Sequence, residues 1–134
     1  MSFLVSGLYV SLTALLIIAL SLYVIKMRRK HRVGIGDGEH RELSIAIRTQ
    51  ANLIENAPIV LLLIVLAEAN GLSILWLHLL GCVWLFARII HPYGLVKSNG
   101  GIHWGRYYGM ALTWIVVLAL AGVNVGFYLG HVLD

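Results

Sequence analysis

The segment RTQANLIENAP, residues 48–58, places polar side chains at helical spacing directly before a long apolar run. Arg48, Asn52 and Glu55 are spaced i, i+4 and i+7, so on a helix they lie within about 60° of one another. Gln50 points to the opposite side of such a helix. Ionisable side chains in a membrane helix usually face the bundle interior or a watery cavity. Two interpretations are open: a structural stripe in which Arg48 pairs with Glu55, and a cavity that binds a ligand.

Arginines from other segments are expected to reach the same membrane depth. Arg88 precedes His91 by three residues near the end of one apolar segment, and Arg106 begins the next. A cation in the first turn of a helix opposes the helix dipole, so Arg106 requires a nearby anion, which a ligand would provide. Arg28 and Arg29 end the first apolar segment. The acids available to neutralise these arginines are chiefly Asp37, Glu39, Glu42 and Glu55. An unbalanced arginine cluster suits a small, multiply anionic ligand.

The elements that must position these side chains are membrane helices. The mean hydropathy is +0.87 and 60% of residues are hydrophobic. Only 12% are charged, against about 25% in a soluble domain. Runs without a charged residue cover residues 3–25, 56–67, 69–87 and 107–133. Three of them are near or above the ~20 residues that cross a bilayer. The run 56–67 reaches that length only by including the polar segment before it.

We therefore predict an all-α integral membrane fold with one domain over residues 1–134. The predicted helices cover about residues 3–29, 41–70, 73–91 and 104–130. In the third of them, Pro92 and its neighbours are expected to end or bend the helix. The connections are short, which favours an up-down-up-down four-helix bundle.

The basic residues indicate the orientation of this bundle. All ten lysines and arginines lie in or beside the first and third connections, and the N-terminus, the second connection and the C-terminus carry none. The positive-inside rule places both termini outside the cytoplasm and both basic loops within it. The net charge of +4 then reflects topology and anionic lipid headgroups, and no nucleic-acid partner is expected.

Histidine and cysteine usage argues against two other kinds of site. The six histidines show no spacing on one helical face that is typical of a metal site, so no metal is expected. Cys82 is the only cysteine, which excludes a disulfide within the chain. Its position in an apolar run predicts a small, packed core residue.

Residues 48–58 resemble the R-x-Q-x-N-x-x-E-x-x-P segment of MAPEG proteins, the membrane-associated proteins in eicosanoid and glutathione metabolism. Three further segments resemble the ends of the family's first and third helices and the start of its fourth: RRKHRV (28–33), FARIIHPYG (86–94) and the region of Arg106. The resemblance covers nearly the whole chain. The loop GDGEHREL and the short termini are most similar to the small bacterial branch, which implies a bacterial inner-membrane protein.

The resemblance also implies a homotrimer of four-helix protomers that binds glutathione in cytoplasmic-side clefts between neighbours. Carried over by position, the ligand contacts would be Arg48, Asn52 and Glu55 from one protomer, with Arg28 and Gln50 from the next. Arg106 corresponds to the arginine that stabilises the glutathione thiolate. Arg88 and His91 complete the candidate binding set, and for His91 a capping or packing role is the open alternative. Asn56 and Leu95 stand where several family members have tyrosine, so two ligand contacts differ.

The leading hypothesis is a glutathione-dependent transferase or peroxidase that acts on lipophilic electrophiles entering from the bilayer. The alternative is a non-catalytic lipid-binding or scaffold member of the same family, since a fold does not establish turnover. A small multidrug exporter is disfavoured because the first helix contains no acidic residue.

Overall fold

The computed structural model describes residues 3–133, and this part of the chain contains four α-helices and no strand. The helices are α1 (Leu4–His31), α2 (Arg41–Ala69), α3 (Ile74–Lys97) and α4 (Trp104–Leu133). Each is long and apolar enough to cross a membrane. The fold class, all-α with four candidate membrane spans, agrees with the prediction from hydropathy.

The end of α3 differs from the prediction. We expected the helix either to end or to bend near His91, and the predicted end is wrong, because the helix continues through Pro92 to Lys97. Close contact with the start of α4 supports this extension. A Cβ atom on Gly94 would lie 2.5 Å from the backbone N of Arg106, and one on Gly105 would lie 2.7 Å from the carbonyl oxygen of Ile90. Packing of α3 against α4 at Gly94 and Gly105 offsets the loss of the backbone hydrogen bond that Pro92 cannot donate.

Packing between the helices is unequal. The largest interfaces are those of α3 with α4 and of α1 with α2, while α2 also contacts α3 and α4. Within residues 3–133, α1 and α4 do not touch. Arg41 Nε donates to the carbonyl of Asn99 at 2.8 Å, so the α1–α2 and α3–α4 connections lie together. We call this end of the bundle the basic end.

The first turn of α1 is capped by a side chain from another helix. Phe3, at the N-cap position, makes no side-chain capping bond. The Glu68 carboxylate, from the last turn of α2, instead accepts hydrogen bonds from the backbone N–H groups of Val5 at 3.1 Å and Ser6 at 2.7 Å. A negative charge at a helix N-terminus is stabilising, so this contact fixes the start of α1 against the end of α2.

Cys82 is not the packed core residue that we predicted, because its side chain is exposed. The face of α3 that meets α1 carries Gly81 and Trp84 instead. The ring of Tyr9 lies where a Cβ on Gly81 would be, at 2.4 Å, and the fully buried Trp84 donates to Thr13 Oγ1 at 3.0 Å. Cys82 follows Gly81 in the chain and lies at the edge of the contact between α1 and α3, where its Sγ is 3.2 Å from Tyr9 Oη.

Candidate functional site

Arg48 and Glu55 form a two-pronged ion pair along one face of α2. Arg48 Nη1 donates to Glu55 Oε1 at 3.1 Å and Nη2 to Oε2 at 2.8 Å. The two side chains are 57% and 53% exposed, so the pair lies on the surface of the protomer. The i, i+7 spacing thus brings these residues together, as the sequence predicts. Two parallel bonds fix the plane of the guanidinium while leaving its other N–H groups free for another acceptor.

The side chain of Asn52, which lies between Arg48 and Glu55 along α2, points into the helix bundle. It is 7% exposed, and its Oδ1 accepts a hydrogen bond of 2.8 Å from Arg88 Nη1. Arg88 is 1% exposed, and its Nη2 donates to the carbonyl of Gly109 at 2.8 Å and to the hydroxyl of Thr113. Arg88 therefore joins α2, α3 and α4 from inside. Its Nε is buried without a hydrogen-bond partner in the described structure.

A cavity of about 270 Å³ between α2, α3 and α4 brings Arg48 together with Arg106. Its wall consists of Arg41, Ser44, Ile45, Arg48, Leu95, Gly100 and Arg106. We call this space the arginine cavity. Arg106 is held by the loop before α4, where its Nη1 donates to the carbonyls of Gly100 at 3.1 Å and Gly101 at 3.3 Å. These neutral contacts orient the guanidinium without cancelling its charge.

The arginine cavity carries an excess of positive charge. Of the three arginines in its wall, only Arg48 has a carboxylate partner among residues 3–133, namely Glu55. Arg41 and Arg106 have no ion-pair partner within residues 3–133. Close cations without matching acids favour an anion from outside the chain. Arg41 is one of the ten basic residues in or beside the first and third connections, and nothing in its spacing along the chain showed that it would share a wall with Arg106.

Comparison with known proteins identifies the family of this membrane protein. The family model described as MAPEG family matches residues 6–126. The chain belongs to the MAPEG family. It is similar to the "Inner membrane protein YecN" of Escherichia coli strain K12, with 37% identity over 121 residues and 90% of each chain covered. The protein of the same name from Escherichia coli O6:H1 strain CFT073 matches with the same identity and coverage.

Gln50 and Arg28, which the family resemblance predicts to be ligand contacts, lie away from the arginine cavity. Gln50 projects toward α1, where its Nε2 donates to Ser21 Oγ at 2.6 Å. Arg28 Nη1 donates to loop carbonyls, the shortest of these bonds being 2.9 Å to Gly36. The structure therefore brings neither residue to the cavity formed by its own chain. The prediction that Gln50 and Arg48 point to opposite sides of α2 agrees with these contacts.

His91, Asn56 and Leu95 lie in three different environments, and the last two stand where the family resemblance predicts tyrosine. His91 is 4% exposed and packs against α4, where a Cβ on Gly109 would lie 2.7 Å from the His91 Cβ. Asn56 Nδ2 donates to the carbonyl of Asn52 at 2.7 Å, within α2. Leu95 lies in the wall of the arginine cavity. Of these three residues, only Leu95 lines the arginine cavity, so only this replacement of a tyrosine alters the wall of that cavity.

A second, mostly apolar cavity of about 580 Å³ adjoins the arginine cavity at Arg106. Its wall consists of Ile102, His103, Arg106, Tyr107, Met110, Ala111 and Trp114. Tyr107 and Trp114 are 70% and 60% exposed. We call this space the α4 cavity. Arg106 thus lies in the walls of both a cationic space and an apolar one, an arrangement that the scattered spacing of these residues did not reveal.

Proposed function

We propose that this MAPEG protein is a membrane-bound, glutathione-dependent transferase or peroxidase that acts on lipophilic electrophiles. The observation that supports this proposal most directly is the presence of Arg48 and Arg106 in the wall of one cavity. Glutathione carries two carboxylates and one ammonium group. The cavity region offers three guanidiniums and the carboxylate of Glu55, so its charges complement those of the tripeptide.

Each residue then has a distinct task. Arg48 and Arg41 would hold carboxylates of the tripeptide, while Glu55 accepts from its ammonium group. Arg88 would keep Asn52 in place from inside, so that Arg88 acts as a positioning residue. Arg106 would favour the thiolate over the thiol, because a nearby guanidinium stabilises the anion. Bound glutathione supplies the sulfur nucleophile. In transfer, a carbon–sulfur bond forms, the leaving group departs and the thiol proton goes to solvent.

The α4 cavity is the proposed entrance for the lipophilic substrate. Its exposed aromatic side chains lie on a helix that is apolar enough to cross the membrane. An apolar molecule that partitions into the bilayer would reach Arg106 from this side without crossing water. The reacting carbon and the thiolate would then meet at the boundary between the two cavities.

The proposed assembly is a homotrimer of up-down-up-down bundles in a bacterial inner membrane. The basic end would face the cytoplasm and both termini the opposite side. The placement of Gln50 and Arg28 supports assembly, because both lie on the α1 side, away from the arginine cavity of their own chain. In a trimer, these residues would serve the cleft of a neighbouring protomer.

Conjugation of glutathione to a chlorodinitrobenzene-type electrophile tests the catalytic proposal. The wild-type protein should form the conjugate, and Arg106→Ala should lose most of this activity. Arg29→Ala is a matched control, because Arg29 is an exposed arginine that lies in neither cavity wall. A wild-type protein that binds glutathione but forms no conjugate would favour the non-catalytic, lipid-binding alternative. The apolar Leu95 in place of a tyrosine is the observation that supports this alternative.

A further inference from the structure

A long groove runs between α1 and α3, with α2 as its floor, on a different side of the protomer from the α4 cavity. Its upper part, at the basic end, is a cavity of about 660 Å³. Its lower part is a cavity of about 360 Å³. The two parts share Tyr23 and Val96 in their walls, so they adjoin at these residues. Residues 20–31 of α1 follow the groove over about 16 Å at 1.5 Å per residue.

The polarity of this groove changes along its length. Leu20, Tyr23 and Pro92 line the lower part, together with Thr49, Tyr93, Val96 and, next to the shared Val96, Lys97. The upper part is lined by Lys30, His31, Glu39, His40, Arg41, Glu42 and Asn99, with a few apolar side chains. An apolar trough that ends in a polar, cation-bearing pocket matches a phospholipid, whose acyl chain and headgroup have the same order.

The ion pairs within the groove leave two cations without an acidic partner. Glu42 is occupied by Lys30 and by His31, the latter at 3.2 Å. Arg41 Nε donates to the carbonyl of Asn99, and Lys97 Nζ donates to Tyr93 Oη at 2.8 Å. Both partners are neutral, and neither cation forms an ion pair in the described part of the chain. Glu39 remains as the only unpaired acid in the wall of the upper part within residues 3–133.

We propose that this groove binds an anionic phospholipid, with the phosphate near Arg41 and Lys97 and an acyl chain along Leu20 and Pro92. Basic pockets between membrane helices are suited to anionic headgroups. The site is separate from the proposed glutathione site, although Arg41 and Ile45 lie in the walls of both. Arg41 would therefore contact both the lipid and the arginine cavity.

Native mass spectrometry of the full-length protein tests this proposal. The protein in detergent receives equal amounts of phosphatidylglycerol and phosphatidylcholine with identical acyl chains, and the lipid retained is counted. We expect wild type to retain phosphatidylglycerol preferentially. Lys97→Gln should reduce that retention about fivefold, the effect of one cation near an anionic headgroup. Arg29→Gln, with the same charge change outside the groove, should retain lipid as wild type does.

A second variant tests the shape of the groove without a change of charge. Val96 is 43% exposed and lines both parts, so Val96→Trp should fill the junction and lower phosphatidylglycerol retention. Equal retention of the two lipids by wild type, or equal losses in Lys97→Gln and Arg29→Gln, would contradict a specific site. Displacement of the lipid by the soluble headgroup glycerophosphoglycerol at equal concentration would contradict a lipid ligand. Cross-linking of Val96→Cys to a second copy, in a Cys82→Ser background, would show a protomer contact and overturn the proposal.

Discussion

Arg88 and Asn52 are joined by a 2.8 Å hydrogen bond inside the bundle, directly behind the exposed pair of Arg48 and Glu55. The same guanidinium also holds the Gly109 carbonyl of α4 at 2.8 Å. Since the wall of the arginine cavity comes mainly from α2, α3 and α4, one side chain connects the helices that shape it. Arg88 and Asn52 thus form a buried layer that connects the helices, and Arg48 and Glu55 form an exposed layer to which we assign the proposed ligand contacts.

Arg88→Ala should destabilise the protein by about 3 kcal/mol, because it leaves the buried Oδ1 of Asn52 without its donor and opens a cavity. Thermal unfolding in detergent, followed by circular dichroism, should show a lowered midpoint. Arg88→Lys should recover little of this loss, since one ammonium group cannot repeat the divergent geometry of the guanidinium. Arg29→Ala should stay within about 0.5 kcal/mol of wild type. Equal midpoints for Arg88→Ala and Arg29→Ala would contradict the positioning role.

Gly94→Ala should separate α3 from α4. The added methyl group would lie 2.5 Å from the backbone N of Arg106, which cannot move without displacing the start of α4. We expect a lower unfolding midpoint together with weaker glutathione binding. Gly122→Ala is the matched control, because nothing lies within 4 Å of its added Cβ and alanine favours a helix by up to about 1 kcal/mol. If both variants unfold at the same temperature, the close contact of the two backbones is not needed.

Hydropathy and helical spacing predicted a large part of this structure. The four helices follow from runs long enough to cross a membrane, and the approach of Arg48 to Glu55 follows from their separation by two helical turns. Spacing along one helix did not show that Asn52 faces Arg88, because that contact depends on how α2 is rotated against α3. The role of Arg41 was missed for the same reason, since its place in the cavity depends on contact with the distant α3–α4 connection.

Local rules also failed where tertiary contacts override them. Pro92 predicts a helix end from its missing N–H group, but packing along Gly94 and Gly105 carries α3 onward to Lys97. An apolar run predicts burial of Cys82, yet Gly81 and Trp84 occupy the buried face at that level. Apolar composition predicts that a helix lies in the membrane, but it does not predict which face of that helix packs against another helix.

Glu68→Ala should loosen the first turn of α1. The change removes the acceptor of two backbone N–H groups, those of Val5 and Ser6, and the negative charge at the helix N-terminus. The expected cost is about 1–2 kcal/mol. Hydrogen exchange should accelerate at these two amides and remain unchanged in the middle of α1. Glu39→Ala, a change at an exposed acid of the basic end, should leave exchange in this turn as in wild type.

Arg48→Ala should weaken glutathione binding at least about tenfold, the loss expected for a charge-assisted hydrogen bond of 1.5 kcal/mol or more. Stability should change by less than about 1 kcal/mol, because the Arg48–Glu55 pair is more than half exposed and screened by solvent. Isothermal titration calorimetry measures the first effect, and size-exclusion chromatography with light scattering measures assembly. Dissociation of the oligomer by Arg48→Ala would instead favour the purely structural stripe.

The proposed stabilisation of a thiolate by Arg106, in a cavity shared with Arg48, is tested most directly by ultraviolet difference absorbance of bound glutathione. Wild type and Arg29→Ala should both show the thiolate band on addition of glutathione at neutral pH. Arg106→Ala should still bind the tripeptide through Arg48 and Glu55 but should lose the band. A wild-type protein that binds no glutathione and forms no thiolate, or an Arg106→Ala variant whose band equals that of wild type, would contradict the account.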